Sequence, residues 1–302
     1  MRILGPHQAI RLSVAAALGT MAIKVAAWGL TGSVGFLSDA LESSVNLAGA
    51  LFALWMLRWA HEPADDEHPF GHGKAEYFSA VFEAGLISLA ALLIIGAAVE
   101  RLLDPQPIER LGIGSLFAIA ASLLNLVVAR ILMASGRAHR SVALEADARH
   151  LMTDVWTTAG IIVGVGLAWA SGWHWLDPVV AIAVALNILR EGWKLMRGSV
   201  DGFMDRALDP GEIARIEAVL ASYEGRGIGF DNLRTRQAGA QRFAHVDLRV
   251  PGDWSVIRAH DAADEIERAV GLAVAGVLLE THVEPHGVRH AGDDDPTGPP
   301  PG

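Results

Sequence analysis

Carboxylates, an imidazole and an amide stand at helical spacing inside the most apolar stretches of this 302-residue chain. Asp39, Glu42 and Asn46 recur at i, i+3 and i+7, which puts them on one helix face. Asp147, His150 and Asp154 form a second set, with His150 and Asp154 at i, i+4. An Asp at the centre of a bilayer costs about 2.5–3.5 kcal/mol on insertion scales. Two matched sets carrying that cost point to a use for it. Brought together, the two faces make a cage of oxygen and imidazole donors suited to a divalent cation. The simpler alternative is that Asp39 and Glu42 hydrogen-bond locally and lock helices together. Lys24, Glu83, Asn125 and Asn187 each stand alone in an apolar stretch. Packing glue or snorkelling accounts for most of them, with Glu83 the one to watch as a proton or gate residue.

Two more clusters lie outside the apolar stretches. Asp65, His68 and His72 fall within the loop segment Asp65-Asp66-Glu67-His68-Pro69-Phe70-Gly71-His72-Gly73-Lys74. They can converge on one ion, or belong to a solvated charged loop. Further along, Asp231, Asp247, His260, His282 and Glu284 are all short-reach metal-ligand types, which as isolated residues would read as solvated surface. His282 and Glu284 are two apart on a predicted strand and so share a face. The chain has no cysteine. Disulfides and thiolate metal sites are therefore excluded, and any ion must be held by His, carboxylate, amide or water.

These residues need elements to position them. The chain is 52% hydrophobic with a mean hydropathy of +0.33, too apolar for an ordinary soluble domain. Long apolar runs predict six membrane spans of about 20 residues, the length a hydrocarbon core requires. They run over 10–30, 34–57, 77–101, 112–134, 144–170 and 176–196. The first run shows no cleavage site and reads as a retained helix. Thr31-Gly32-Ser33 makes a tight hairpin, and Asp104-Pro105-Gln106-Pro107 breaks the chain between the third and fourth spans. Trp173-His174-Trp175 reads as an interfacial anchor. Arg2, Arg11, Arg58, Lys74, Arg130, Arg137, Arg140, Arg190, Lys194 and Arg197 fall on one side of these spans, against Arg101 and Arg110 on the other. The excess of positive charge places both termini in the cytoplasm.

After Asp209-Pro210 the pattern changes to an ordinary charged domain. A helix is expected over 211–223, strands over 232–237 and 242–250, a helix over 255–270 and a strand over 274–283. This αββαβ order fits a small two-layer α+β domain. The expected organisation is a six-helix membrane domain over 1–204, a cytoplasmic domain over 205–287 and a disordered Gly-, Asp- and Pro-rich tail over 288–302. A net charge of −10 argues against a nucleic-acid partner.

With these motifs in order, the sequence resembles the cation diffusion facilitator family of metal–proton antiporters, from the first span to Pro285. The most specific stretch is Pro63 to Glu76, similar to the family's loop signature. His150-Leu151-Met152-Thr153-Asp154 resembles its HxxxD motif. Leu233 to Gln237 and His282-Val283-Glu284-Pro285 look like its cytoplasmic domain. The resemblance implies a transport site at Glu42, Asn46, His150 and Asp154, and a loop site at Asp65, His68 and His72. It implies a cytoplasmic site at Asp231, Asp247, His260, His282 and Glu284. It also implies a homodimer, with Lys74 and Asp205 at positions of a charge interlock.

The chain departs from the family pattern where metal choice is made. Zinc-selective bacterial members carry Asp at both second-span positions, occupied here by Glu42 and Asn46. Two expected histidines are Asp231 and Asp247. Each change favours oxygen-rich coordination, which suits Mn²⁺ and Fe²⁺ better than it suits Zn²⁺. Zn, Fe, Mn and Co all remain open as the cargo. Asp39, one turn before Glu42, is a further candidate for charge or proton relay.

The resulting expectation is a multi-pass homodimer in a bacterial-type inner membrane, exporting a divalent metal in exchange for protons and not acting as an enzyme. Metal binding needs His150 neutral and the carboxylates ionised, so protons and metal compete. No P-loop is present to couple nucleotide hydrolysis. The alternative is a membrane-bound metal sensor or scaffold without transport; a membrane hydrolase lacks a nucleophile–base motif. Proton stoichiometry, and the roles of Glu83 and Asp147, are open at this level.

Overall fold

The computed structural model describes residues 3–31, 34–104, 113–173 and 175–287. The side chains at 27–31, 34–42, 45, 113–115, 118, 161, 162, 164–166, 168–170 and 177 fall outside the description, as does the expected tail over 288–302. The chain divides into two compact units, 1–204 and 205–302.

The first unit is made of long helices: α1 (Pro6–Thr31), α2 (Val34–Ala60), α3 (Ala75–Leu103), α4 (Ile113–His139), α5 (Val142–Ser171) and α6 (Leu176–Phe203). Two apolar groups hold them. Ile10, Ala53, Leu57, Leu132, Leu144 and Leu151 join α1, α2, α4 and α5. Ala80, Ala84, Ile87, Ala146, Ile188 and Leu195 join α3, α5 and α6. Helix α5 contributes to both groups, so its opposite sides face different partners. Small residues set the spacing. A Cβ on Gly192 of α6 would meet Ser88 Oγ at 2.8 Å and displace the hydroxyl that now donates to Ala84 O, so glycine here lets α3 and α6 lie close.

Large apolar side chains stay on the outside of this unit. Trp55, Leu92, Leu93, Leu123, Val127, Leu186 and Trp193 are all exposed. In water such a surface would aggregate; against lipid it needs no cover. Among the described residues, three stretches are long and apolar enough to cross a membrane: Pro6–Ala26, Ala75–Leu103 and Ile119–His139. Six were expected. Helices α2, α5 and α6 each run through positions whose side chains fall outside the description, so their full lengths do not enter this comparison.

The second unit runs α7 (Pro210–Ala221), a 3₁₀ turn (Glu224–Arg226), β1 (Gly229–Ala238), β2 (Gln241–Val250), α8 (Val256–Ala273) and β3 (Val277–Pro285). The sheet order is β1-β2-β3, with β1 antiparallel and β3 parallel to β2. The parallel pair needs a crossover, and α8 supplies it. Alternation on β2 buries Ala244, Val246, Leu248 and Val250 against Ile216, Leu220, Ile266 and Val270 of the two helices. The intervening residues, Phe243, His245, Asp247 and Arg249, occupy the opposite face. Arg242 is buried, with its Nε 3.1 Å from Glu212 Oε2 and its Nη1 donating to Ala275 O.

Candidate functional site

Helix α5 carries two of the candidate ligands, His150 and Asp154, and its start is fixed first. Glu76 of α3 is buried, and its Oε2 accepts hydrogen bonds from Ser141 Oγ at 2.6 Å and from Ala143 N at 3.1 Å. A carboxylate there satisfies an orphan N–H and complements the helix dipole. Arg149 of α5 adds a contact to Glu191 of α6 at 3.2 Å. Further along α5, His150 and Asp154 emerge on one side at their i, i+4 spacing.

Asn46 of α2 meets both. Its Nδ2 donates to Asp154 Oδ2 at 2.7 Å, and its Oδ1 lies 3.0 Å from His150 Nε2. Asn125 of α4 donates to the same Asp154 oxygen at 3.1 Å. His150 Nδ1 faces Glu83 Oε2 of α3 at 3.4 Å. A polar line thus runs Glu83, His150, Asn46, Asp154, Asn125 across four helices. The side chains of Asp39 and Glu42 lie outside the described residues. Asp147, one turn before His150, is buried.

Asn125 and Glu83 are the additions here. Read alone, each was a lone polar residue in an apolar helix. Nothing in the spacing of α4 announces Asn125, because the partner that defines it sits on another helix. Lys24 of α1 also lies within electrostatic reach of Asp154.

The loop cluster is brought together. Asp65 Oδ1 accepts from the backbone N–H of His68 at 2.6 Å and of Glu67 at 3.0 Å, which makes the turn. Its Oδ2 lies 3.3 Å from His72 Nε2, and that nitrogen is 3.1 Å from His68 Nδ1. His68 Nδ1 lies 3.3 Å from Asp65 Oδ1. Gly71, at φ 79°, turns the chain so that His72 can come back to His68. The His72 side chain is only 3% exposed and stands near the Trp59 ring. The N–H of His68, and then the nearby imidazoles, hold the Asp65 carboxyl below its ordinary pKa. Two ligand atoms each ~2.1 Å from one cation lie ~3.4 Å apart at a tetrahedral angle and ~3.0 Å apart at a right angle. The spacings within this cluster fall in that range.

In the second unit the sheet gathers part of its expected set. Asp231, Asp247 and His282 are register partners across the three strands. Ligand atoms of Asp247, His282 and Glu284 all lie within 4.8 Å of one another. His282 Nδ1 is 3.6 Å from both Asp247 Oδ1 and Glu284 Oε1. His245 joins them, with Nε2 3.3 Å from Asp247 Oδ1. It was legible, since it stands two residues before Asp247 on the same strand face, the same rule that paired His282 with Glu284. Asp231 instead pairs with Arg249 at 2.8 Å. His260 is 70% exposed and faces Asp264 at 3.8 Å. Within this unit α8 packs on the buried face of the sheet, while Asp247 belongs to the other face, so His260 does not join the group.

Lys74 and Asp205 fall in different units. Lys74 Nζ donates to Phe203 O at 3.4 Å, and Asp205 Oδ1 lies 3.3 Å from Arg236 Nη1.

Comparison with known proteins gives the family. The model of the cation efflux transmembrane domain matches residues 10–204, and that of the cation efflux protein cytoplasmic domain matches 208–286. An uncharacterized transporter of Synechocystis sp. is 49% identical over 274 residues, 91% of this chain and 88% of its own. The cation-efflux pump FieF of Citrobacter koseri is 33% identical over 277 residues, 92% of this chain and 91% of its own. A solved structure of CzrB is 42% identical over 26% of this chain and 99% of its own, with a TM-score of 0.26. The chain belongs to the cation efflux, or cation diffusion facilitator, family. It therefore has a transmembrane domain followed by a cytoplasmic domain built on a small sheet, and it is a transporter rather than an enzyme.

Proposed function

We propose that this protein exports divalent transition-metal ions across the cytoplasmic membrane in exchange for protons, as a homodimer with both termini inside. All six long helices span the bilayer in this reading. The observation that carries it is the convergence of Asn46, His150 and Asp154 inside a unit whose outer surface is apolar. Glu42 completes the transport site, and Asp39 stands in reserve one turn away.

The cargo is bound by oxygen and imidazole, with no thiolate. His150 Nε2 and Asn46 Oδ1 lie 3.0 Å apart, the separation of two neighbouring ligands on one ion at a right angle. Metal binds when His150 is neutral and Asp154 ionised; protons arriving from the far side compete for the same atoms and release it. The oxygen-rich set keeps Mn²⁺ and Fe²⁺ beside Zn²⁺ and Co²⁺ as cargo. Asp65, His68 and His72 hold a second ion at the loop, and Asp247, His282 and Glu284, with Asp231 and His260, serve the cytoplasmic domain and its dimer.

The test is flux in proteoliposomes with Zn²⁺, Mn²⁺, Fe²⁺ and Co²⁺ under an imposed pH gradient. At least one metal should move, faster with the gradient and slower when an ionophore collapses it. Flux indifferent to the gradient removes proton coupling; absence of flux for all four removes transport of these ions.

A further inference from the structure

Glu83 is the largest unexplained polar group in the helical unit. It is fully buried on α3, and among the described residues neither of its oxygens has a hydrogen-bond partner. Burying a carboxyl without partners costs several kcal/mol. Room has nevertheless been made for it. A Cβ on Gly49 of α2 would lie 3.0 Å from Glu83 Oε1, so the carboxyl group occupies the space that a side chain there would fill. Gly49 is three residues after Asn46, on the same side of α2. The other oxygen, Oε2, lies 3.4 Å from His150 Nδ1.

The two nitrogens of His150 therefore face different things. Nε2 faces Asn46 Oδ1, and Nδ1 faces Glu83. A neutral imidazole carries one proton, and what surrounds one nitrogen decides the other. With the proton on Nδ1, Nε2 presents a lone pair to the lone pairs of Asn46 Oδ1. Two acceptors 3.0 Å apart repel unless a cation lies between them. That arrangement is set to receive a metal.

We infer that Glu83 is a positioning residue for the transport site: from its place 3.4 Å away it takes the Nδ1–H of His150 as a hydrogen bond when the ion binds, and so keeps Nε2 unprotonated and aimed at the ion. The inference rests on the transport reading above. A carboxylate behind a ligating histidine fixes tautomer and ring orientation, and removing such a partner typically weakens metal affinity by about 10–100-fold. The role needs an acceptor atom at Glu83, not its charge at the metal.

The experiment compares concentration-dependent Zn²⁺ and Mn²⁺ flux in proteoliposomes for wild type, Glu83→Leu, Glu83→Gln and His150→Ala, each checked for monodispersity. Glu83→Leu should raise KM by at least about 10-fold for both metals, with a smaller change in maximal rate. Glu83→Gln, whose amide oxygen still accepts from Nδ1, should stay within about threefold of wild type. An unchanged KM in Glu83→Leu overturns the inference, and so does an equal loss in Gln and Leu, which would put the charge itself on the metal. If Glu83→Leu fails to fold, Glu83→Ala, which also lacks an acceptor, takes its place with the same expected and overturning results. Failure of the underlying reading looks different: wild type without flux, or His150→Ala transporting like wild type.

Discussion

Asn46 donates a 2.7 Å hydrogen bond to Asp154, joining two helices across 108 residues of chain. The amide separates its roles cleanly. Its nitrogen satisfies the carboxylate, while its oxygen is left to face His150. An aspartate at this position would put two carboxylate oxygens where a donor and an acceptor now sit.

Asn46→Asp is therefore expected to make the site dependent on a cation. The added charge favours tighter Zn²⁺ binding and shifts competition among Zn²⁺, Mn²⁺, Fe²⁺ and Co²⁺ toward Zn²⁺. The metal-free protein should unfold at lower temperature than wild type, with a larger recovery on adding Zn²⁺. Competition flux and thermal melts measure this. An unchanged order of metals would show that Asn46 does not set the choice.

Asp154→Ala should reduce flux by at least about 100-fold, beyond the usual loss for a group one shell further out. The variant also strands the amides of Asn46 and Asn125, which both donate to the same oxygen. Asp154→Asn separates these effects, since it keeps an oxygen acceptor but removes the charge. It should fold and still fail to transport. Near-normal flux in Asp154→Asn would remove the carboxylate from the mechanism.

Asp65 gives a pH prediction with a definite sign. Its pKa is lowered in the folded loop, chiefly by the N–H of His68. A depressed carboxyl pKa contributes stability that is present above the unfolded value and lost as pH falls through the folded one. The loop at 61–74 should keep its amide protection from neutral pH down past the ordinary carboxyl range, about pH 4, and lose it only below that. Hydrogen exchange read by mass spectrometry checks this. Asp65→Ala should show the unprotected loop at neutral pH. Protection lost already near pH 5–6 would mean that another group holds the turn.

How far the sequence could be read follows from which contacts are local. His150 and Asp154 were legible because four residues on a helix set both, and His282 with Glu284 because two residues on a strand do the same. The αββαβ order was legible from alternating and amphipathic runs. Helix α6 continues to Phe203, beyond the expected end of its span near 196. Arg190, Glu191 and Lys194 end the apolar run without ending the helix, since all three are good helix formers. Asn125, Glu83 and the placement of His260 depend on which helix or sheet face packs against which. No spacing within one element encodes that.

The buried pair of Arg242 and Glu212 ties β2 to α7 and yields a stability prediction. Arg242→Ala leaves Glu212 without its principal partner in a largely buried setting. The expected cost is about 3–5 kcal/mol, a fall in melting midpoint of at least ~12 °C for a unit of this size. Calorimetry on residues 205–287 measures it, provided the unit folds with its own core. A shift under a few degrees would mean that solvent reaches the pair.

The same unit separates its ligand candidates. Asp247 Oδ1 faces both His245 and His282, so it is the hub of the cluster. His260 extends into solvent from α8 and faces Asp264. Within a single copy, Asp247→Ala should weaken divalent-metal binding by at least about 30-fold, while His260→Ala changes it by less than about threefold. A second copy alters this only if dimerisation brings His260 toward the open face of the sheet. Titration calorimetry with light scattering distinguishes the cases. Equal losses in both variants, appearing only at concentrations where the unit dimerises, would make the site a shared one. Equal losses in the monomer would contradict the arrangement of the sheet and α8 described above. Absence of binding at millimolar metal would leave the cluster as a set of paired surface charges.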